Sequence, residues 1–401
     1  MSHVVVVGAG QAAASLVAKL RAKGFDGQIT VIGEEPAPPY QRPPLSKAYL
    51  LGEMGLDRLF LRPEAWYADN DVTLRLGAPV ERIDREAKTV TVGGEEISYD
   101  MLALTTGSVP NRLPNAIGGD LDGVYCVRSL ADVDAMVSEF REGARVLIVG
   151  GGYIGLEAAA VASKKGLKVT LVEMSERILQ RVAAPQTSDY FRALHEAHGV
   201  DIREGVGLTR LTGDGRVTGA ELGDGTVLDV DFVIVGVGIR PDVAVAEQAG
   251  LTIDNGIAVD AEGRTSDPTI WAAGDCASFP HGAARMRLES VGNAIDMGEL
   301  VAENLMGAGR AYLPKPWFWS DQYEVKLQIA GLGTGYDEIV TRQGETAVSF
   351  WYYRGDSLLA IDAMNDPRAY MIGKRLIEAG KSADKALVAD AGADLMPLLK
   401  A

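Results

Sequence analysis

Cysteine is almost absent from this chain. Cys126 and Cys276 are the only two among 401 residues, they lie 150 positions apart, and neither belongs to a CxxC or CxxxxC pair. That pattern excludes a redox dithiol and a cysteine-rich metal site. Histidine is nearly as scarce, with His3, His195, His198 and His281. His195 and His198 are three apart, a spacing that puts two ligands on one helix face. Within LHEAHG, however, they read as a helix nearing its glycine stop, and no metal site is expected. No apolar run reaches the length of about 18 residues needed to span a bilayer, and no charged-then-apolar leader precedes the first strand, so a cytoplasmic location is expected. Positive charge is also in deficit: 39 Lys and Arg against 55 Asp and Glu leave a net charge of −16. Nucleic acid and anionic membranes are therefore disfavoured as partners.

Apolar residues and glycine are plentiful, at 47% hydrophobic content and 47 glycines, as in well-packed α/β enzymes. The length corresponds to roughly two to four domains. VVVV at 4 to 7 is a short apolar run suited to a strand buried on both faces of a parallel sheet. Gly8, Gly10 and Ala13 follow as GxGxxA: the first allows a tight turn, the second lets the backbone approach a pyrophosphate, and the small third residue lets the helix pack on the sheet. The helix is expected to stop near Gly24. ITVIGEE at 29 to 35 then supplies an acid 24 or 25 positions after Gly10. Glu34 or Glu35 can accept hydrogen bonds from a ribose, and Glu34 is preferred because it comes first.

The whole pattern recurs 142 residues later. VLIV leads into Gly150, Gly152 and Gly155, with Tyr153 and Ile154 in the same turn, and VTLVE delivers Glu173. Two internally similar dinucleotide folds imply two dinucleotides. An acid at this position suits a free ribose 2′-hydroxyl and repels a 2′-phosphate, so NADH is expected over NADPH; Arg177, four residues on, is placed to soften that preference.

TIWAAGDCA at 269 to 277, LALTTGSVPN at 102 to 111 and VIVGVGIRPD at 233 to 242 complete a pattern that resembles the two-dinucleotide flavoprotein reductases. The resemblance implies an α/β fold of two Rossmann-like, glutathione-reductase-like domains and a small C-terminal α+β domain. It places an FAD domain at 1–110 and 241–315, an inserted NADH domain at 111–240, and the C-terminal domain, covering the flavin, at 316–401. Within that superfamily, PPYQRPPLSK at 38 to 47 and PWFWSDQYE at 316 to 324 resemble the putidaredoxin-reductase-like ferredoxin reductases that serve haem mono-oxygenases and ring-hydroxylating dioxygenases. No cysteine stands in the first of these segments, where the related disulfide reductases and peroxidases carry theirs.

The implied activity is transfer of electrons from NADH through FAD to a two-iron ferredoxin. By the same resemblance Asp275 binds the flavin ribityl chain, Ala12, Arg42, Val80 and Arg128 contact FAD, and Gly238 belongs to the NAD site. Val291 offers its backbone N–H to the flavin pyrimidine, and Trp319 lies beside the isoalloxazine. Lys47 is held near the flavin, with Ser46 available to cap the short helix that follows. Glu157 pairs with Lys47 and accepts from the nicotinamide carboxamide; its plain alternative is a first-turn acid that favours the helix dipole. An NADH oxidase or monodehydroascorbate-type reductase of the same fold is the enzymatic alternative, and a flavin- and NADH-responsive binding protein the non-enzymatic one. Arg310, Lys315 and Lys326 flank the aromatic segment as candidate contacts for an acidic ferredoxin.

Overall fold

A computed structural model describes residues 2–399; the outermost residues of the first and last expected domains lie outside that range. Its contacts divide the chain into two compact units. One contains the chain to Arg42, Gly55–Val109 and Ile239–Pro316; the other contains Pro43–Met54, Pro110–Gly238 and the chain from Trp317 on.

The first unit is built on a five-stranded parallel sheet whose order is Ile270–Ala272, Met101–Leu104, His3–Val7, Gln28–Gly33, Val72–Leu76. The valine strand is central, and Val4, Val5 and Val6 are fully buried, which is why the run carries no polar alternation. The helices Gln11–Ala22 and Val291–Leu305 pack together so closely that a Cβ on Gly298 would lie 2.6 Å from the carbonyl oxygen of Ala12. An antiparallel meander, Val80–Asp84, Thr89–Val92 and Glu95–Ser98, was not anticipated from the sequence. Its strands are only four or five residues long, so they carry little hydrophobic signal.

The second unit repeats the plan. Its parallel sheet runs Asp201–Glu204, Lys168–Glu173, Arg145–Val149, Phe232–Val235, Val124–Cys126. The correspondence is close: strand 3–7 and helix 11–22 of the first copy reappear as strand 145–149 and helix 153–164, displaced by the same 142 residues. This unit also holds the C-terminal region, a five-stranded antiparallel sheet in the order Trp317–Gln322, Val325–Gly331, Ser357–Met364, Val348–Arg354, Glu338–Gln343. Trp351, Tyr353 and Ile361 of that sheet share a core with Ile372 and Leu376 of helix Pro367–Glu378. The expected architecture, two Rossmann-like cores and a small α+β region, is the observed one. Among the described residues, no helix is long and apolar enough to cross a membrane.

Candidate functional site

Each glycine turn is shaped by backbone crowding on one side and open space on the other. Gly8 has φ +103°, and a Cβ there would lie 2.3 Å from the Thr105 carbonyl oxygen. Gly150 has φ +109°, and its Cβ would lie 2.4 Å from the Gly236 carbonyl oxygen. Both values belong to the left-handed region that side chains avoid. Gly10 and Gly152, by contrast, face nothing within 4 Å. Each forms the N-cap of its helix without a side-chain cap, and neither first turn contains an acid. Open space above uncapped N–H groups at a helix N-terminus is the donor set a pyrophosphate requires. FAD and NAD(P)H therefore fit the two turns. Gly155 serves packing: its Cβ would lie 2.1 Å from the Gly150 oxygen. Ala13, at the equivalent place in the first copy, is fully buried.

In the first unit, Glu35 is ion-paired with Arg42 at 2.6 Å and accepts a hydrogen bond from Tyr40 at 2.5 Å. Glu34 is exposed at the end of strand Gln28–Gly33, with no ion pair among the described residues. The Asp275 carboxylate accepts from Ser108 at 2.8 Å. Val291 is the first residue of its helix, capped by Ser290, whose Oγ accepts from the Asn293 amide. Ala12 is buried beneath the first glycine turn, and Val80 is half-buried at the start of its strand.

In the second unit, the Glu173 carboxylate is held by the backbone, accepting from Gly151 N–H and Ser175 N–H at 2.8 Å each. Arg177 turns away from it: its guanidinium donates to the Ala183 carbonyl at 2.9 Å and to Ser188 Oγ at 2.5 Å. Those donors are engaged within the protein in this structure. Tyr153 packs its ring on Phe318 at 4.6 Å between centroids. Its hydroxyl is buried and has no hydrogen-bond partner among the described residues, and burial pushes its pKa well up. Ile154 is exposed beside the turn. Gly238, φ +95°, approaches Asn111 and Arg181. Arg128 sits just before the capping box of helix Leu130–Met136, its N–H donating to Asp132.

Lys47 and Glu157 meet. Lys47 Nζ lies 2.8 Å from Glu157 Oε2, with side-chain exposures of 16% and 2%. Ser46 Oγ donates to the same oxygen at 2.5 Å, and Ser320 Oγ donates to Oε1 at 2.7 Å. Two expectations are corrected here. Ser46 does not cap the helix Ala48–Leu51; it ends the turn Pro43–Ser46 and spends its hydroxyl proton on Glu157. Glu157 is the fifth residue of helix Tyr153–Lys164 rather than a first-turn acid. Its burial with three donors also removes the exposed-dipole alternative. Sequence reasoning missed Ser46 as a ligand of this carboxylate and missed Ser320 altogether, although PPLSK and FWSDQ were both singled out. Trp319 is half-buried on the Trp317–Gln322 strand, stacked with Trp317 at 5.5 Å.

The remaining polar candidates have local explanations. His195 is fully buried and bonded to Gln322, while His198 stacks on Tyr323. Both cysteines are buried and free, and burial pushes both thiols up, away from the thiolate a redox nucleophile needs. Arg310 is ion-paired with Glu303, whereas Lys315 and Lys326 are exposed.

Two Rossmann cores, each with a phosphate-type glycine turn, and a buried Lys–Glu pair without a reactive thiol define an oxidoreductase that uses a flavin and a pyridine nucleotide. The chain belongs to the pyridine nucleotide-disulphide oxidoreductase family, whose model matches residues 2–298. A second model, described as reductase C-terminal, matches residues 317–399. The chain is 44% identical over 384 residues to a ferredoxin–NAD(P)(+) reductase of a Sphingomonas species, covering 94% of this chain and 92% of the relative. It is 41% identical over 405 residues to the 5,5′-dehydrodivanillate O-demethylase ferredoxin reductase subunit of Sphingobium, covering 99% and 98%. Among solved structures it is similar to the covalent putidaredoxin reductase–putidaredoxin complex. There the TM-score is 0.96 and the identity 37%, over 100% of this chain and 98% of that one. FAD and NAD(P)H are the cofactors of this oxidoreductase.

Proposed function

We propose that the protein is a cytoplasmic NADH:ferredoxin oxidoreductase that supplies a two-iron ferredoxin and, through it, a haem mono-oxygenase or ring-hydroxylating dioxygenase. The observation that carries the reading is the duplicated glycine turn, open above Gly10 and again above Gly152, in a chain similar to ferredoxin reductases along nearly its whole length. Bound FAD accepts two electrons from NADH and releases them singly, which matches a hydride donor to a one-electron iron-sulfur carrier.

The chain's own residues have the tasks of alignment, charge and exclusion of water. The turn Gly8–Ala13, Glu34, Arg42, Asp275 and Val291 hold FAD, with Ala12, Val80 and Arg128 as further contacts. The turn Gly150–Gly155 with Glu173 and Gly238 holds NADH. Glu173 is supported in that role by its two backbone donors, which orient an acceptor for ribose hydroxyls and leave a negative charge where NADPH carries its phosphate. Lys47, Glu157 and Trp319 act at the reacting rings; the Lys47–Glu157 pair presents a fixed carboxylate to the nicotinamide carboxamide. Lys315 and Lys326, both exposed, are the basic groups offered to the ferredoxin.

Steady-state turnover of NADH by the purified, yellow holoenzyme tests the reading. Turnover is expected to rise by orders of magnitude when a two-iron ferredoxin is supplied, with oxygen, peroxide and monodehydroascorbate as slow acceptors. Equal rates with oxygen alone would favour the oxidase alternative, and a protein that neither carries nor takes up FAD would overturn the assignment.

A further inference from the structure

Behind Glu157 a continuous line of buried polar groups leads away from the Lys47 side. Ser320 Oγ donates to Glu157 Oε1 at 2.7 Å, Gln322 Nε2 donates to Ser320 Oγ at 3.0 Å, and Gln322 Oε1 meets His195 Nε2 at 2.8 Å. Ser320, Gln322 and His195 are each 0% exposed. Beyond them Tyr323 OH lies 3.3 Å from His195 Nδ1. The line joins two separate elements: His195 comes from helix Pro185–Ala197, whereas Ser320 and Gln322 point to one face of strand Trp317–Gln322 because they are two residues apart.

Chemistry at one end sets the direction of every bond. A carboxylate only accepts, so Ser320 must give its single proton to Glu157. Its oxygen must then accept, and Gln322 must present its NH2 group there. The Gln322 carbonyl is left facing His195, whose Nε2 must carry the hydrogen while Nδ1 accepts from Tyr323. One tautomer of a neutral imidazole satisfies the whole line. Burial also lowers the His195 pKa to about 4, so the ring is neutral at physiological pH.

We propose that His195, Gln322 and Ser320 are positioning residues that fix Glu157 Oε1, leaving Oε2 to the Lys47 side and the carboxylate as a whole aimed at the reacting rings. The inference rests on the role assigned above to Glu157. Among the described residues none of the three hydrogen-bonds to either glycine turn, so loss of the line is expected to act on the rate of flavin reduction at saturating NADH rather than on NADH affinity. A single lost buried hydrogen bond corresponds to about tenfold in such a rate.

The test combines a spectroscopic and a kinetic readout on the holoenzyme. In nitrogen-15 histidine spectra, His195 is expected as a neutral ring protonated at Nε2, its signals assigned by their loss in His195→Gln. Glu157→Gln removes the acceptor-only end, so the His195 tautomer preference is expected to relax. In stopped-flow reduction by NADH, Gln322→Leu and His195→Leu are expected to slow the limiting rate about tenfold with the NADH dissociation constant within about twofold. His195→Gln, whose amide can donate from nearly the place of Nε2, should restore most of the rate; retained flavin absorbance shows that each variant is folded. A His195 ring protonated at Nδ1 would overturn the inference alone, as would Gln322 and His195 variants with wild-type limiting rates beside a slowed Glu157→Gln. A Glu157→Gln variant with the wild-type rate would overturn the role of Glu157 and the inference with it.

Discussion

Removing the Lys47 ammonium leaves an almost fully buried carboxylate without its counter-ion. In Lys47→Met the Glu157 carboxylate, 2% exposed, loses its counter-ion at 2.8 Å and keeps the hydroxyl donors Ser46 and Ser320. Breaking a buried pair from one side costs about 3–5 kcal/mol because the remaining charge stays desolvated. Glu157→Gln is a milder change. Lys47 is 16% exposed and retains the Pro43 carbonyl at 3.3 Å, so its charge can be solvated, and a cost of about 1–3 kcal/mol is expected. The double variant leaves no buried charge; its destabilisation should fall short of the sum of the singles by about 2 kcal/mol or more, within the range found for contacting residues. Urea unfolding of the four holoenzymes at fixed salt and saturating FAD gives the coupling energy directly. Additivity within about 0.5 kcal/mol, the behaviour of independent sites, would refute the claim that the two side chains form one buried unit. Flavin reduction is expected to slow in Lys47→Met, with loss of bound FAD as the more severe form of the same defect.

Glu173→Arg removes the carboxylate that Gly151 and Ser175 hold and should lower kcat/KM for NADH by about tenfold or more while raising that for NADPH, one lost charge-assisted contact being worth about 1.5–3 kcal/mol. Unchanged preference in steady-state kinetics would remove Glu173 from the site. A second expectation concerns pH. Asp362, buried against Thr187 and Tyr352, has its pKa raised by burial from 3.8 to about 6, so the folded state binds the extra proton and stability falls as pH rises through that window. His195 has the opposite shift, from 6.5 down to about 4; there the unfolded chain binds the extra proton and stability rises with pH. Each contribution is about 3 kcal/mol and they oppose each other between pH 4 and 6. Relative to the wild type, Asp362→Asn should therefore gain stability more steeply with rising pH, and His195→Gln less steeply; urea unfolding at pH 4, 5, 6 and 7 measures both, and profiles parallel to the wild type would refute the shifts.

Features written in local order were legible without coordinates. Val4–Val7 followed by Gly8, Gly10 and Ala13, and the same grammar at Val146–Gly155, specify strand, turn and helix because each requirement acts within a few residues: an apolar run, a positive φ, and space for a phosphate. The interval of 142 residues exposed the duplication for the same reason. The family resemblance of PPLSK and FWSDQ then drew attention to Lys47 and Trp319, but it could not say which atoms meet.

That was decided by packing between distant segments. The resemblance paired Glu157 with Lys47, but Ser46 and Ser320, both more than 100 positions away, emerged as its further partners only in the packed structure. Arg177, four residues after Glu173 in sequence, donates to Ser188 and the Ala183 carbonyl instead of to that carboxylate. His195, one of a pair with metal-ligand spacing, proved to answer to Gln322, 127 residues on. A side chain's partner depends on which strand and helix the fold brings beside it, and no short-range pattern contains that information. The sequence alone determined two dinucleotide-binding cores and their order; only tertiary structure decided that the Glu157 carboxylate is buried and which neutral groups hold it in place, because those partners come from segments far apart in the chain.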